Sequence, residues 1–205
     1  MSESSVPDNE DSAWVSIDTP FNTKELRAFL DDIERLYRIN SMLVFDSWQL
    51  INDKEFSFKL KNLSNGRLLE SALSIDSSDD GIKVSYQQGL RTSTSFHVEP
   101  KDDGNSRLIV TDDYSGTPAS EREQRIDEVD KSLVNWGNDL HGYLHRWKRW
   151  SWVPGWPWYM RKIWQPMKPM ARRITYILYV VTVAEMILFL LVFTVFRLEL
   201  SKYLY

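Results

Sequence analysis

Residues 174–196, ITYILYVVTVAEMILFLLVFTVF, constrain this chain more than any other stretch. Fifteen of these 23 residues are Leu, Ile, Val or Phe. As a helix rising about 1.5 Å per residue the run is roughly 35 Å long. That is enough to cross a hydrocarbon core about 30 Å thick, with some tilt. One acid, Glu185, sits at its centre. Insertion survives it, because the apolar side chains contribute roughly −0.3 to −0.6 kcal/mol each against about +3 kcal/mol for a central acid. The stretch predicts one transmembrane helix over 174–196, with a short tail at 197–205.

The charge distribution agrees. Residues 1–140 carry 27 acidic and 15 basic side chains, and residues 141–205 carry 2 acidic and 10 basic. An overall net charge of −4 therefore hides an acidic part of −12 and a basic part of +8. Eight cations (Arg146, Lys148, Arg149, Arg161, Lys162, Lys168, Arg172 and Arg173) precede the apolar run, and only Arg197 and Lys202 follow it. The excess of cations on the N-terminal side predicts a single-pass membrane protein with its large N-terminal domain in the cytoplasm. Residues 1–11 are polar and acidic, without the charged and apolar regions of a secretory signal, and predict a disordered leader. There is no cysteine, hence no disulfide framework or thiolate chemistry.

Just before the apolar run, residues 147–173 hold six of the nine tryptophans: Trp147, Trp150, Trp152, Trp156, Trp158 and Trp164. Indole rings favour the headgroup region and cations favour anionic lipid. Pro154, Pro157, Pro166 and Pro169 forbid a continuous helix. Residues 151–173 are therefore expected to form a broken interfacial segment on the bilayer, with those tryptophans, Arg172 and Arg173 at the interface. The adjacent apolar run explains this composition better than a nucleic-acid surface of interleaved aromatics and cations, so no nucleic acid is expected as a partner.

Upstream, AWVSIDTP suggests a short strand. Asn22, with Glu25 three residues on, resembles a capping box. Leu26, Phe29, Leu30, Ile33, Leu36 and Tyr37 then share one face of a helix expected to end near Asn40. About six strand patterns follow. EFSFKLK alternates Phe56, Phe58 and Leu60 against polar residues, and IKVSYQQ points Ile82, Val84 and Tyr86 one way. LRTSTSFHVEP sets Leu90, Thr92, Thr94, Phe96 and Val98 against Arg91, Ser93, Ser95, His97 and Glu99. Short turns between them predict an antiparallel meander. From Ser120 the period changes to that of a long helix, whose seam is Ile126, Val129, Leu133, Trp136, Leu140, Tyr143 and Trp147. An uncovered sheet needs such a helix on its apolar face.

This order (strand, helix, about six antiparallel strands, long helix) resembles the START-like, or SRPBCC, superfamily. The segment RTSTSFHVEPKDDGNSRLIVTDDYSG is similar to the penultimate hairpin of its polyketide-cyclase-like members. The resemblance covers roughly residues 12–150. It implies an α+β helix-grip fold, a curved sheet around a long C-terminal helix, with a pocket for an apolar small molecule between them. Candidate lining residues are the interior aromatics Trp48, Phe58, Tyr86, Phe96, Tyr114 and Trp136, which would otherwise fill an ordinary core. Thr92 and Thr94 would be available to bond a polar ligand head.

Catalytic signals are weak. Phosphate-binding glycine motifs are absent, and no cofactor is implied. His141 and His145 share a helix face but have no third ligand and sit beside cations, so no metal site is expected. Alternation turns one of Asp112 and Asp113 inward, where a structural role outweighs general acid–base chemistry, and Asp46 is a weaker candidate of the same kind. No catalytic residue is assigned. The leading function is thus a membrane-anchored module that binds or delivers an apolar molecule: a lipid, isoprenoid, quinone or polyketide-like compound. The alternative is an accessory or assembly subunit of a membrane complex. Glu185, with Thr182 one turn before it, would contact a membrane-protein partner or a second copy of the helix.

Overall fold

Alternation fixes the sheet first. The computed structural model describes residues 11–78, 81–118, 120 and 126–203. The expected leader, apart from Asp11, and the last two tail residues lie outside the described residues. Seven strands form one sheet: β1 (Ser12–Thr19), β2 (Leu43–Asn52), β3 (Glu55–Asn62), β4 (Leu68–Ser78), β5 (Gly81–Tyr86), β6 (Ser93–Pro100) and β7 (Ser106–Asp113). Their spatial order is β1-β7-β6-β5-β4-β3-β2, and every neighbouring pair is antiparallel. Strands β2 to β7 form a plain meander. Only β1 leaves chain order, pairing with β7 at the far edge. The connection from β1 to β2 must therefore cross the whole sheet, and helices α1 (Thr23–Leu30) and α2 (Ile33–Ile39) make that crossing.

Two helices stand where the periodicity predicts one. The capping box at the start forms: Glu25 N donates to Asn22 Oδ1 (2.9 Å), and Asn22 N donates to Glu25 Oε2 (3.1 Å). The break comes at Asp32, whose Oδ1 accepts from Arg35 N at 3.1 Å and caps a fresh helix. A short acid that competes for backbone donors is better placed at a cap than in a helix interior.

Strand β2 carries a second departure from simple alternation. Its register against β3 slips between Phe45 and Ser47, leaving Asp46 as a bulge residue. Phe45 pairs with Leu60 and Trp48 with Phe58, so two residues three apart both face inward. Asp46 itself is exposed.

Helix α3 (Ile126–Trp150) covers the inner face. Leu133, Trp136, Leu140 and Tyr143 of the expected seam are buried, joined by Leu144, while Trp147 is half-buried. The side chains of Ile126 and Val129 lie outside the described residues, as do residues 121–125; Ser120, where the pattern starts the helix, is helical. Trp136 is clamped by Phe96 (ring centroids 5.6 Å apart) and Tyr37 (5.1 Å), and its indole Nε1 donates to the Leu36 carbonyl at 3.0 Å. Gly137 lets the helix approach β1, because a Cβ there would lie 2.9 Å from Val15 Cγ2.

The compact unit runs on past α3 to Pro166. It includes α4 (Trp156–Tyr159) and a π-helical turn over Met160–Trp164. The second unit is α5 (Pro169–Tyr203), 35 residues that begin on a proline, which tolerates the first helical turn. Within it the stretch Pro169–Leu200 is long and apolar enough to cross a membrane, with a mean hydropathy of 2.5 over its most apolar 18 residues. The helix extends beyond the expected 174–196 in both directions, so Arg172, Arg173 and Arg197 are helical.

Two Gly→Ala substitutions should act with opposite sign. A Cβ on Gly81 of β5 would collide with the Phe96 carbonyl of β6, whereas one on Gly142 of α3 meets nothing within 4 Å. Gly81→Ala should cost about 1–3 kcal/mol, and Gly142→Ala should add about 0.5–1 kcal/mol, read from urea unfolding of the soluble unit's circular dichroism in detergent.

Candidate functional site: a polar chain inside the grip

The cross-strand pair Thr94–Asp112 sets the chemistry of the interior. Both residues face inward and both are fully buried, so a carboxylate lies among aromatic rings. Such a charge needs partners. Thr94 Oγ1 donates to Asp112 Oδ1 at 2.5 Å. Arg91 Nη1 lies 3.1 Å from Oδ2 and 3.3 Å from Oδ1, and Tyr114 OH reaches Oδ2 at 3.4 Å. The Arg91 side chain is 22% exposed, so the pair joins a buried acid to a cation at the rim.

From Thr94 the chain continues outward along the sheet. Tyr86 OH lies 2.9 Å from Thr94 Oγ1, and Tyr37 OH bonds to Tyr86 OH. The carboxylate orders these protons. Thr94 spends its proton on Asp112, so Tyr86 donates to Thr94 and Tyr37 donates to Tyr86. Burial raises the pKa of Tyr37, and its contact with Tyr86 adds to this. Tyr86 and Tyr114 are also raised, first by burial; at Tyr114 the Asp112 charge adds to this and outweighs the opposing pull of Arg91, whereas at Tyr86 Arg91 pulls harder than Asp112 and burial carries the rise. For Arg91 burial works against the charge, but Asp112 and the surrounding tyrosines more than offset it, so its pKa rises above the ordinary arginine value.

An aromatic wall completes the site. Trp48 contacts Tyr37 (5.8 Å), Phe45 (5.4 Å), Phe56 (5.7 Å) and Phe58 (5.9 Å between ring centroids). Its ring is half-buried, yet its Nε1 is buried and has no hydrogen-bond partner among the described residues. That is a donor facing a cluster of rings.

Of the eight expected lining residues, seven join this network: Trp48, Phe58, Tyr86, Thr94, Phe96, Tyr114 and Trp136. Thr92 does not. Strand β6 begins only at Ser93, and Thr92 is exposed, its Oγ1 accepting from Gly116 N at 2.9 Å. The same break in alternation brings in Arg91, which strict alternation assigned to the outer face. Phe58, Phe96, Tyr114 and Trp136 are themselves core residues, each less than a tenth exposed. Asp112 is the inward acid of its pair and Asp113 lies at the strand end. With Asp112 held by three side chains, it serves as a structural anchor.

The membrane-interface candidates divide. Trp147, Trp156 and Trp164 are half-buried against the core, while Trp150, Trp152 and Trp158 are exposed. In α5, Glu185 and Thr182 lie one turn apart and both are exposed; Arg172 is half-buried and Arg173 exposed. His141 and His145 are exposed on α3 with rings 4.2 Å apart, and no group of three metal-ligating side chains occurs among the described residues. A groove of about 290 Å³ between β1 and α3 is lined by His141, Asn138, Asp18 and Arg107. Arg107 and Lys101 hold Asp18 there and lower its pKa.

No family model and no curated protein matches the sequence. Solved structures do match in shape. A Deinococcus radiodurans protein aligns with a TM-score of 0.50 at 12% identity, over 69% of this chain and 99% of its own. A START superfamily protein from Mycobacterium smegmatis aligns at 0.49 and 14% identity, over 66% of this chain and 96% of its own. The di-domain ARO/CYC StfQ of the steffimycin biosynthetic pathway aligns at 0.49 and 9% identity, over 68% of this chain and 52% of its own. Likeness at these identities is a likeness of fold. Sheet order, the helix pair that crosses it and the long helix in its grip make this an α+β helix-grip fold, followed by an apolar helix.

The ion pair should behave as a unit. Asp112→Ala leaves the guanidinium of Arg91 beside three hydroxyls and should cost about 3–5 kcal/mol. Arg91→Met with Asp112→Leu removes both charges and should recover most of that loss in urea unfolding. A double variant as unstable as the sum of the two singles would contradict the coupling.

Proposed function

We propose that the START-like unit binds an apolar small molecule carrying a hydrogen-bond acceptor, and that α5 holds it at the cytoplasmic face of a membrane. The observation that carries this is the buried, unpartnered indole N–H of Trp48, set in an aromatic wall beside the Tyr37 end of the polar chain. A buried donor without a partner is uncommon enough to call for an explanation. A carbonyl, ester or hydroxyl at that point would satisfy it, while the ligand's apolar body would lie against Trp48, Phe56 and Tyr86. A lipid, isoprenoid, quinone or polyketide-like compound has that chemistry. Anchoring by α5 would keep the domain near a bilayer that stores such compounds and raise their effective concentration. Orientation follows from the excess of cations before α5, which favours the cytoplasmic side for the folded unit.

A second reading rests on Glu185. An acid in the middle of an apolar helix is costly in lipid and is best placed against protein. Beside Thr182 it would dock α5 onto a membrane-protein partner or a second copy of the helix, making the chain an accessory subunit.

Solvent extraction of the purified full chain, followed by mass spectrometry, tests the first reading. One apolar class in stoichiometric amount is expected, lost in Trp48→Ala while circular dichroism is unchanged. No retained compound in any detergent, together with no thermal shift from a panel of quinones, isoprenoids, fatty acids and aromatic polyketides, would overturn it. A membrane protein that co-purifies with wild type and is lost in Glu185→Leu would favour the second.

A further inference from the structure

The six tryptophans around the end of α3 are sorted by the fold. Trp164 packs on Tyr143 with ring centroids 5.3 Å apart, Trp147 stacks on the same ring at 5.9 Å, and Trp156 contacts Tyr159 at 5.9 Å. Met160 between them is 1% exposed. These side chains pin the segment to the core, so it is part of the folded unit. The other three face outward: Trp150 is 45%, Trp158 60% and Trp152 77% exposed.

The backbone holds the outward rings in place. Val153 N donates to Trp150 O (3.0 Å), Trp156 N to Val153 O (3.1 Å) and Tyr159 N to Gly155 O (2.9 Å). Gly155 itself adopts φ +82°, a left-handed turn suited to glycine, and so sets up α4. The outcome is a short hydrogen-bonded spur on which three large amphipathic rings are exposed, Trp150 also meeting Trp156 with ring centroids 6.0 Å apart.

Charge narrows what can meet this spur. No acidic residue occurs between Asp139 and Glu185, and Arg149, Arg161 and Lys162 are all exposed. Within the segment exposed indoles stand with cations and no acid, and the neighbouring Glu25 is paired with Lys148 at 2.8 Å; this matches an anionic headgroup layer, where the ring amphipathicity and the positive charge are both favourable. A protein-binding hot spot of tryptophans would lie at the centre of a closely packed, largely desolvated patch. Here Arg149, Arg161 and Lys162 are exposed within a few residues of the exposed rings in sequence, so the surface carries charge as well as indole.

We propose that Trp150, Trp152 and Trp158, with Arg149, Arg161 and Lys162, seat the folded unit on the surface of an anionic bilayer. The START-like domain is then clamped to the membrane by its own surface, in addition to being tethered by α5. This rests on α5 being a membrane span, and the two can fail separately.

None of the nine tryptophans lies in α5, so their fluorescence reports on the folded unit alone. The full chain is reconstituted into phosphatidylcholine vesicles with and without phosphatidylserine, each with brominated acyl chains, and flotation after an alkaline wash reads insertion of α5. Bromolipid should quench the emission, more strongly with phosphatidylserine. The variant W152F/W158F should lose most of that quenching, whereas W14F, which removes an exposed tryptophan on β1, should keep it. R161Q/K162Q should abolish the gain from phosphatidylserine. Vesicles that float with the protein but leave its fluorescence unquenched, as a spur reserved for a protein partner would give, overturn the seat and leave the span standing. Quenching unaffected by W152F/W158F also overturns the seat. Failure to float overturns both.

Discussion

A single curved sheet has one apolar face, and most of this unit follows from the need to cover it. Leu73, Val84, Phe96, Leu108 and Val110 bring that face together from four strands. The helix pair α1–α2 and helix α3 close over it, and Trp136 is the piece on which they converge. It touches the sheet through Phe96 and α2 through Tyr37 and the Leu36 carbonyl. Full burial of such a side chain is worth about 1.5–3 kcal/mol, and the hydrogen bond keeps its one polar atom from offsetting that gain.

Covering the face traps polar groups, and the chain from Asp112 to Tyr37 is how the interior accommodates them. Each hydroxyl has an acceptor on the carboxylate side, and Arg91 balances the charge. This network fixes the relative positions of α2, β5, β6 and β7, because each contributes a member. It also leaves Trp48, one ring beyond Tyr37, as a polar donor that the protein itself does not satisfy. The binding proposal grows from that contrast between a closed network and the open donor beside it.

Much of this was legible in the sequence because alternation and helical spacing report burial directly. Phe58, Phe96 and Trp136 face inward where the periods place them, and the order of β2 to β7 needs only the assumption of short turns, which does not place β1 beside β7. What escaped lies where the period is interrupted. The bulge at Asp46 is invisible to a two-residue repeat, although it is what turns Trp48 inward beside Phe45. The cap at Asp32 divides a continuous apolar stripe into two helices. Arg91 falls on the outer face when alternation is run back past Ser93, the first residue of β6, so alternation does not reveal this half of the central ion pair. Its signal was Asp112 itself, a buried acid that requires a cation. The tryptophans after α3 could not be sorted by composition, since an indole that packs on Tyr143 and one that faces solvent are spelled the same way.

The central claim is that the tyrosines of the grip belong to a buried network ending on a carboxylate. Tyr37, Tyr86 and Tyr114 have their pKa raised in the fold, so they contribute stability that is whole below about pH 10 and is lost as pH rises beyond it. A near-ultraviolet titration of wild type against Tyr86→Phe, with circular dichroism followed alongside, isolates one of these phenols. The Tyr86 signal should appear only where the fold is lost at alkaline pH. A Tyr86 phenol that ionises at about pH 10 while the fold remains intact would contradict the account.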